Sequence, residues 1–255
     1  MQTRKRRILS VSILGPAVAV LLMLSATATP DNLFLLGEYE EIYRPDFAIE
    51  LGRHDTPNWR VPVFLPHGEP DPFLAVDVQL DGVHIESVDE RPSDDEGHRT
   101  GILSSTFPVG DGFEATVHID VRALDEDCHL VMSVLLVATN RERYEFSVGL
   151  APTWAWSCWG LSFGFHNWDH ECPAGQSYAA FGRHTMRLQY DASTRTATAY
   201  LDMIPIVVYE FPVQSPEPMR HCEFRFHADG ERKLDVTILD MLIGIDLAEG
   251  SSQDP

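Results

Sequence analysis

The chain of 255 residues carries 39 acidic and 19 basic residues, for a formal net charge of −20. Contact with nucleic acid or anionic lipid needs a basic face, so this balance argues against both and is read as solubility rather than as a partner. With 44% hydrophobic and 10% aromatic residues, a sizeable core can be buried and disorder is not the default.

The N-terminus reads as a targeting segment. Arg4-Lys5-Arg6-Arg7 precedes an apolar run from Ile8 to Leu24, and Ser25-Ala26-Thr27-Ala28 follows. A basic region, an apolar core and an Ala-x-Ala site make residues 1–28 a signal peptide cleaved after Ala28. The alternative is a retained signal anchor, because the run approaches bilayer-spanning length. Pro16 and the small residues at its end favour cleavage. Either way the expected location is extracytoplasmic, secreted or envelope-anchored, with the membrane a partner only if the leader is retained. Residues 29–248 read as one domain and residues 249–255 as a short polar tail.

From Asn32 to Ala48 no clear period appears, and Pro45, Pro57, Pro62, Pro66, Pro70 and Pro72 then leave no room for a long helix. Phe73–Leu80 alternates apolar and polar residues. Asp81-Gly82 and Val83–Glu86 come next, the strongest short hairpin signal in the chain. The acidic loop Asp89–Thr100 is a solvated connection; its spacing does not match an EF-hand, so calcium is only the weaker reading there and no other cofactor is expected. Phe113–Val121 alternates, with Phe113, Ala115, Val117, Ile119 and Val121 inward. Leu130–Ala138 is apolar throughout, as a strand covered on both faces would be. Tyr144, Phe146 and Val148 share a face. His184–Asp202 reads as a hairpin, Met186, Leu188 and Tyr190 going out and Ala197, Ala199 and Leu201 coming back around the loop Asp191–Arg195. Glu223–Ala228 and Leu234–Leu247 supply the last strands. Many short strands between turn residues make an all-β fold, a two-sheet antiparallel β-sandwich or jelly roll.

Export changes how Cys128, Cys158, Cys172 and Cys222 are read. An even count in an oxidising compartment predicts two disulfides, and four cysteines allow three connectivities. Cys158 and Cys172 flank one compact aromatic segment and are the preferred pair; Cys128 and Cys222 then join two strand starts. No close Cys-x-x-Cys pair suggests zinc.

Taken in order, "DGFEATVHIDV", "RYEFSVGL", "HTMRLQYDASTRTATAYLD" and "CEFRFHADGERKLDVTILDMLIG" resemble the concanavalin A-like lectin/glucanase superfamily, which includes laminin G-like domains. The resemblance covers roughly residues 110–246 and rests on strand and turn patterns, so it implies a fold more than an activity. Family members often have Asp-Gly closing the return strand of the hairpin; here Met203 follows Asp202.

The densest chemistry lies in Thr153–Ala179, which holds Trp154, Trp156, Trp159 and Trp168 together with Tyr178. Indoles stack on the apolar faces of sugar rings while neighbouring polar groups bond hydroxyls. Trp168 sits among polar residues and is the preferred platform, with Asn167, Asp169, Tyr178 and Trp159 around it. Trp154 and Trp156 share a strand face and are read as core fillers beside a disulfide. His166 and His170 are weak candidates for a metal.

A glycosidase of this superfamily needs paired carboxylates, and the familiar Glu-x-Asp-x-x-Glu strand is absent. Glu223-Phe224-Arg225 lacks a second carboxylate at the right alternation, and Glu114 and Asp120 stand ~20 Å apart on one strand. The first expectation is therefore an exported, non-catalytic domain binding carbohydrate or another extracellular ligand. A glycoside hydrolase or polysaccharide lyase using Asp169 and Glu171 is the alternative, and a structural or adhesive envelope module the third.

Overall fold

The computed structural model describes residues 33–51, 59–60, 74–87, 98–108, 112–126, 128–138, 143–162, 168–171, 176–194, 196–210, 219–230 and 233–246, with backbone alone for residues 60, 74, 98–106, 108, 138, 143, 158–162, 168–171, 176, 209–210 and 219–230. They form two antiparallel sheets packed face to face. Sheet 1 runs in the order β14 (Ile204–Glu210), β13 (Thr196–Leu201), β12 (Gly182–Asp191), β6 (Gly112–Leu124), β16 (Leu234–Asp246), β4 (Gly82–Ser87) and β3 (Leu74–Gln79), with β1 (Glu41–Tyr43) also on β16. Sheet 2 runs β10 (Trp168–Glu171), β9 (Trp154–Ser162), β8 (Arg143–Ala151), β7 (His129–Ala138), β15 (Met219–Gly230), β5 (His98–Pro108) and β2 (Trp59–Arg60), with β11 (Gln176–Ser177) also on β9. One short helix, α1 (Phe47–Glu50), lies between β1 and β2.

Period-2 alternation decides which side chains fill the space between the sheets. Phe113, Ala115, Val117 and Ile119 of β6 are buried there with Met186, Leu188 and Tyr190 of β12, against Met132, Val134 and Leu136 of β7 and Phe146 and Val148 of β8. The hairpin pairs Met186 with Leu201 and Asp191 with Thr196. Asp191 Oδ1 accepts from the backbone N–H groups of Ser193 and Thr194, which fixes its loop. At the Asp81-Gly82 turn a glycine is obligatory. Its φ is +143°, and a Cβ there would stand 2.1 Å from the Ile238 carbonyl oxygen.

The outer face of sheet 1 is less expected. Glu114 (0% exposed) and Arg187 (1% exposed) form an ion pair with Nε 2.9 Å from Oε1. The chain from Leu33 to Tyr39 lies over them. Leu36 and Gly37 donate backbone N–H bonds to the Glu114 carboxylate at 2.9 and 3.1 Å, and the Tyr39 hydroxyl donates to it at 3.1 Å. Arg187 donates to Thr116 Oγ1, the Phe34 carbonyl and Met203 Sδ, and its guanidinium stacks 5.3 Å from the Phe34 ring centre. Burial, then the Glu114 charge, drives the Tyr39 hydroxyl far above its ordinary pKa, so it stays a donor. Gly244 has no side chain because Tyr39 and Leu35 occupy its space. Met203 closes the β13–β14 turn with φ +66°, a conformation that usually asks for glycine. Its thioether is the reason a longer residue stands there.

The expected Cys128–Cys222 bridge is corrected. In the β7–β15 register Cys222 faces Leu136 and Asp229 faces His129. Cys128 is thus eight residues along the strand from Cys222, about 26 Å, whereas a disulfide needs Cα atoms within about 7 Å. Cys128 Sγ instead donates to the Lys233 carbonyl at 3.6 Å. Cys172 lies outside the described residues. Its predecessor Glu171 faces Trp159, the residue after Cys158, so the Cys158–Cys172 pairing remains an expectation.

Candidate functional site

Four strands of sheet 2 build the site, and alternate residues of each take its outer face. On β8, Tyr144, Phe146, Val148 and Leu150 point into the sandwich. Glu145, Ser147 and Gly149 therefore lie on the outer face. Their partners on β7 are Leu135, Ser133 and Val131, and on β9 Gly160, Cys158 and Trp156. On β15 the matching register positions are Glu223, Arg225 and His227.

Trp156 lies flat on this face in a slot that Gly149 leaves open. A Cβ at Gly149 would meet the indole at 2.2 Å. Trp154 follows two residues back along β9, 43% exposed, with its ring centre 6.3 Å from that of Trp156. Together they make an aromatic strip at one end of the face. Toward the other end sit buried polar groups, Ser133 (0% exposed), Ser147 and Glu145 (2% exposed). Ser133 Oγ and Trp156 Nε1 are buried and find no hydrogen-bond partner among the described residues. A buried hydroxyl left in that condition costs roughly 1–3 kcal/mol.

Pleating splits the residues singled out from sequence. Asp169 and Glu171 of β10 face Leu161 and Trp159 of β9, which in turn face Tyr144 and Phe146 on the core side. Trp159, Asp169 and Glu171 hence take register positions on the core side of the pleat, and the ligand role of Trp159 and the catalytic role of Asp169 and Glu171 remain expectations. Trp168 and His170 take the outer register positions beside Ser162 and Gly160. Asn167 and His166 lie outside the described residues. Among the described residues no three His, Cys, Asp or Glu side chains gather to hold a metal ion. The core role expected for Trp154 and Trp156 is likewise reversed, since β9 buries Ala155 and Ser157 instead.

Tyr178 is committed elsewhere. Its hydroxyl donates to Asp202 Oδ2, and His184 Nδ1 stands 2.8 Å from the same oxygen. Asp202 Oδ1 accepts from the Thr185 backbone N–H at 2.7 Å. Burial alone would lower the His184 pKa, but the hydrogen bond and charge of Asp202 outweigh it and raise it. Burial likewise pushes Asp202 up, yet His184, Tyr178 and Thr185 N–H together hold it below the usual carboxylate value. This cluster ties β12 to the β13–β14 turn and gives the Tyr178 hydroxyl a structural partner; its ligand role remains an expectation.

Glu145 escaped the sequence reading. The available signal was a charged residue at an alternate position of an otherwise buried strand, "RYEFSVGLA".

A scan of the sequence against family models finds no match, and neither does a search of curated proteins. Solved structures do resemble the fold. A mixed-linkage glucan glycoside hydrolase of family 16 from Bacteroides ovatus, bound to product, aligns with a TM-score of 0.55 at 11% identity, over 79% of this chain and 99% of that one. A structure described under endo-acting O-glycanases of the human gut microbiota gives 0.58 at 9% identity, over 82% and 100%. The CBM2 module of the evolved Dit of Lactobacillus casei phage J-1 gives 0.51 at 10% identity, over 79% and 93%. The fold they share with this chain is a two-sheet jelly roll, the fold that the sequence resemblance implied.

Proposed function

We propose that the protein is an exported carbohydrate-binding jelly-roll domain whose site is the outer face of sheet 2. The observation that carries this reading is the strip of Trp154 and Trp156, the latter seated flat on Gly149, running into a face of buried polar groups. A flat apolar surface bordered by a few fixed polar atoms suits a sugar ring, which has an apolar face and a polar rim. A family-16 glucanase and a CBM2 module among the similar folds support carbohydrate as the ligand class. The leader supports export, and cleavage after Ala28 would leave the segment over Glu114 and Arg187 intact.

The test is Trp154→Ala, assayed by affinity electrophoresis in mixed-linkage glucan, laminarin and mucin. One stacked ring is worth on the order of 1–1.5 kcal/mol by analogy with aromatic pairs, so binding should weaken roughly ten-fold. The melting temperature should stay within about 2 °C, because the ring is 43% exposed. Unchanged affinity in the mutant, or no retardation of the wild type by any of the three, would remove the proposal.

A further inference from the structure

We propose that Met203 is an oxidation site, whose thioether peroxide converts to a sulfoxide that stays bonded to Arg187 and tightens the polar core on the outer face of sheet 1. The residue stands where glycine is the natural choice. Asp202 and Met203 join β13 to β14 with φ of +48° and +66°, a backbone region in which a side chain costs energy. What the methionine adds there is its sulfur. Sδ accepts from Arg187 Nη1 at 3.2 Å.

The other nitrogens of that guanidinium end on oxygen. Nε bonds Glu114 Oε1 and Thr116 Oγ1, both at 2.9 Å, and Nη2 bonds the Phe34 carbonyl at 2.6 Å. Nη1 ends on a thioether, a weak acceptor. Arg187 is 1% exposed, and burial lowers its pKa against the opposing charge of Glu114. The cation is therefore short of polar partners. A sulfoxide turns an apolar side chain into a polar one, and its oxygen would give the same N–H a charge-assisted bond. In a packed core such a conversion disrupts; beside Arg187 it supplies the acceptor that is weakest.

Exposure selects this sulfur. Met132, Met186 and Met241 lie between the sheets and are at most 1% exposed, whereas Met203 is partly exposed at its turn. One sulfur lone pair faces Arg187, so the other attacks a peroxide oxygen. The O–O bond breaks, and hydroxide leaves and takes up a proton to become water. Sulfur gives up two electrons and the peroxide gains them. Oxygen thus adds from one side, and one sulfoxide epimer predominates. Rotation about the Cγ–Sδ bond then brings the oxygen to Nη1. The turn itself stays in place, because Thr185, His184 and Tyr178 hold the neighbouring Asp202.

The test treats the full chain with hydrogen peroxide, follows each methionine by peptide mass mapping, and measures urea unfolding before and after. Met203 should oxidise at least about ten-fold faster than Met132, Met186 and Met241. Its sulfoxide should be repaired by one of the two epimer-specific reductases and not the other. The urea midpoint should rise at unchanged slope. Met203→Leu keeps the bulk without the acceptor and should show no rise. Met203→Gln, whose amide oxygen stands in for the sulfoxide, should unfold at a higher midpoint than Met203→Leu with no peroxide added. Oxidation no faster than at the three buried methionines, equal repair by both reductases, or a midpoint that stays level or falls overturns the proposal. So does an equal rise in Met203→Leu, which traces the effect to another methionine. Should Met203→Leu not fold, the rates, the epimer and the midpoint of the unsubstituted chain decide.

Discussion

On the outer face of sheet 1, every polar atom of the Glu114 carboxylate is answered: Leu36, Gly37, Tyr39 and Arg187 all converge on it. On the outer face of sheet 2, Ser133 is as deeply buried as Glu114 but its hydroxyl is unanswered among the described residues. Both faces carry polar residues at the same alternate positions, so pattern alone does not separate them. Among the described residues, the difference lies in what the chain lays over them. Sheet 1 receives its own N-terminal segment and becomes a second, polar core. Sheet 2 keeps an aromatic strip and buried donors, an arrangement that wastes stability unless something else bonds to it.

The largest expected effect breaks the saturated face. Arg187→Ala leaves Glu114 as an uncompensated buried charge, with Thr116 and the Phe34 carbonyl also losing a donor. Breaking a buried pair from one side costs about 3–5 kcal/mol. Urea unfolding should show that loss as a lower midpoint at unchanged slope. A loss below about 1 kcal/mol would mean that the face is not a polar core at all. Glycan retardation should persist in whatever fraction of the variant is folded, because Arg187 lies on the opposite sheet.

A smaller effect tests saturation through pH at Tyr178, Asp202 and His184. Asp202 is held below its usual value, so its contribution is present above the unfolded carboxylate pKa near 3.9 and is lost as pH falls through the lower folded value. His184 is raised, so its contribution is complete below the unfolded histidine pKa near 6.5 and is lost as pH rises through the higher folded value. Between about pH 4 and 6.5 both are present. Asp202→Asn removes hydrogen bonds to a charged acceptor, for a loss of about 2 kcal/mol. The loss should be greatest inside that window and shrink on either side. A pH-independent loss in chemical denaturation would show that the turn, not the charge, carries the effect.

How much of this was legible in the sequence depends on direction along or across the sheets. Along a strand, period-2 alternation placed Phe113 through Val121 and Met186 through Tyr190 on the core side, because burial acts on single residues at fixed spacing. Asp81-Gly82 was legible because a two-residue turn is chemistry local to itself. Across strands, little was legible beyond the two hairpins. Glu145 and Glu223 are 78 residues apart in sequence yet share one register row through Leu135; Cys128 precedes the strand that pairs with β15, far from Cys222 in register. Trp154 and Trp156 were assigned to the wrong side because one residue of phase moves a whole strand face from core to surface. Only the burial of Ala155 and Ser157 fixes that phase. Met203 looked like a departure from the expected Asp-Gly turn, and its reason, the Arg187 guanidinium, lies on another strand.

The smallest expected effect is the sharpest on the comparison, because it predicts a change of sign. Ser133→Ala removes a buried hydroxyl that bonds to nothing among the described residues. At a saturated position such a change loses a hydrogen bond and costs about 1 kcal/mol. Here it deletes a desolvation penalty instead, and the methyl keeps most of the volume, so no cavity of consequence opens. Stability should stay level or rise by up to about 1 kcal/mol. Thr116→Ala on sheet 1 is the matched control: its hydroxyl accepts from Arg187 at 2.9 Å, and its loss should cost about 1–2 kcal/mol. Glycan affinity should respond the other way round, falling for Ser133→Ala and holding for Thr116→Ala. If Ser133→Ala instead destabilises by more than about 1 kcal/mol with affinity unchanged, its hydroxyl serves the fold, and the outer face of sheet 2 is as closed as that of sheet 1.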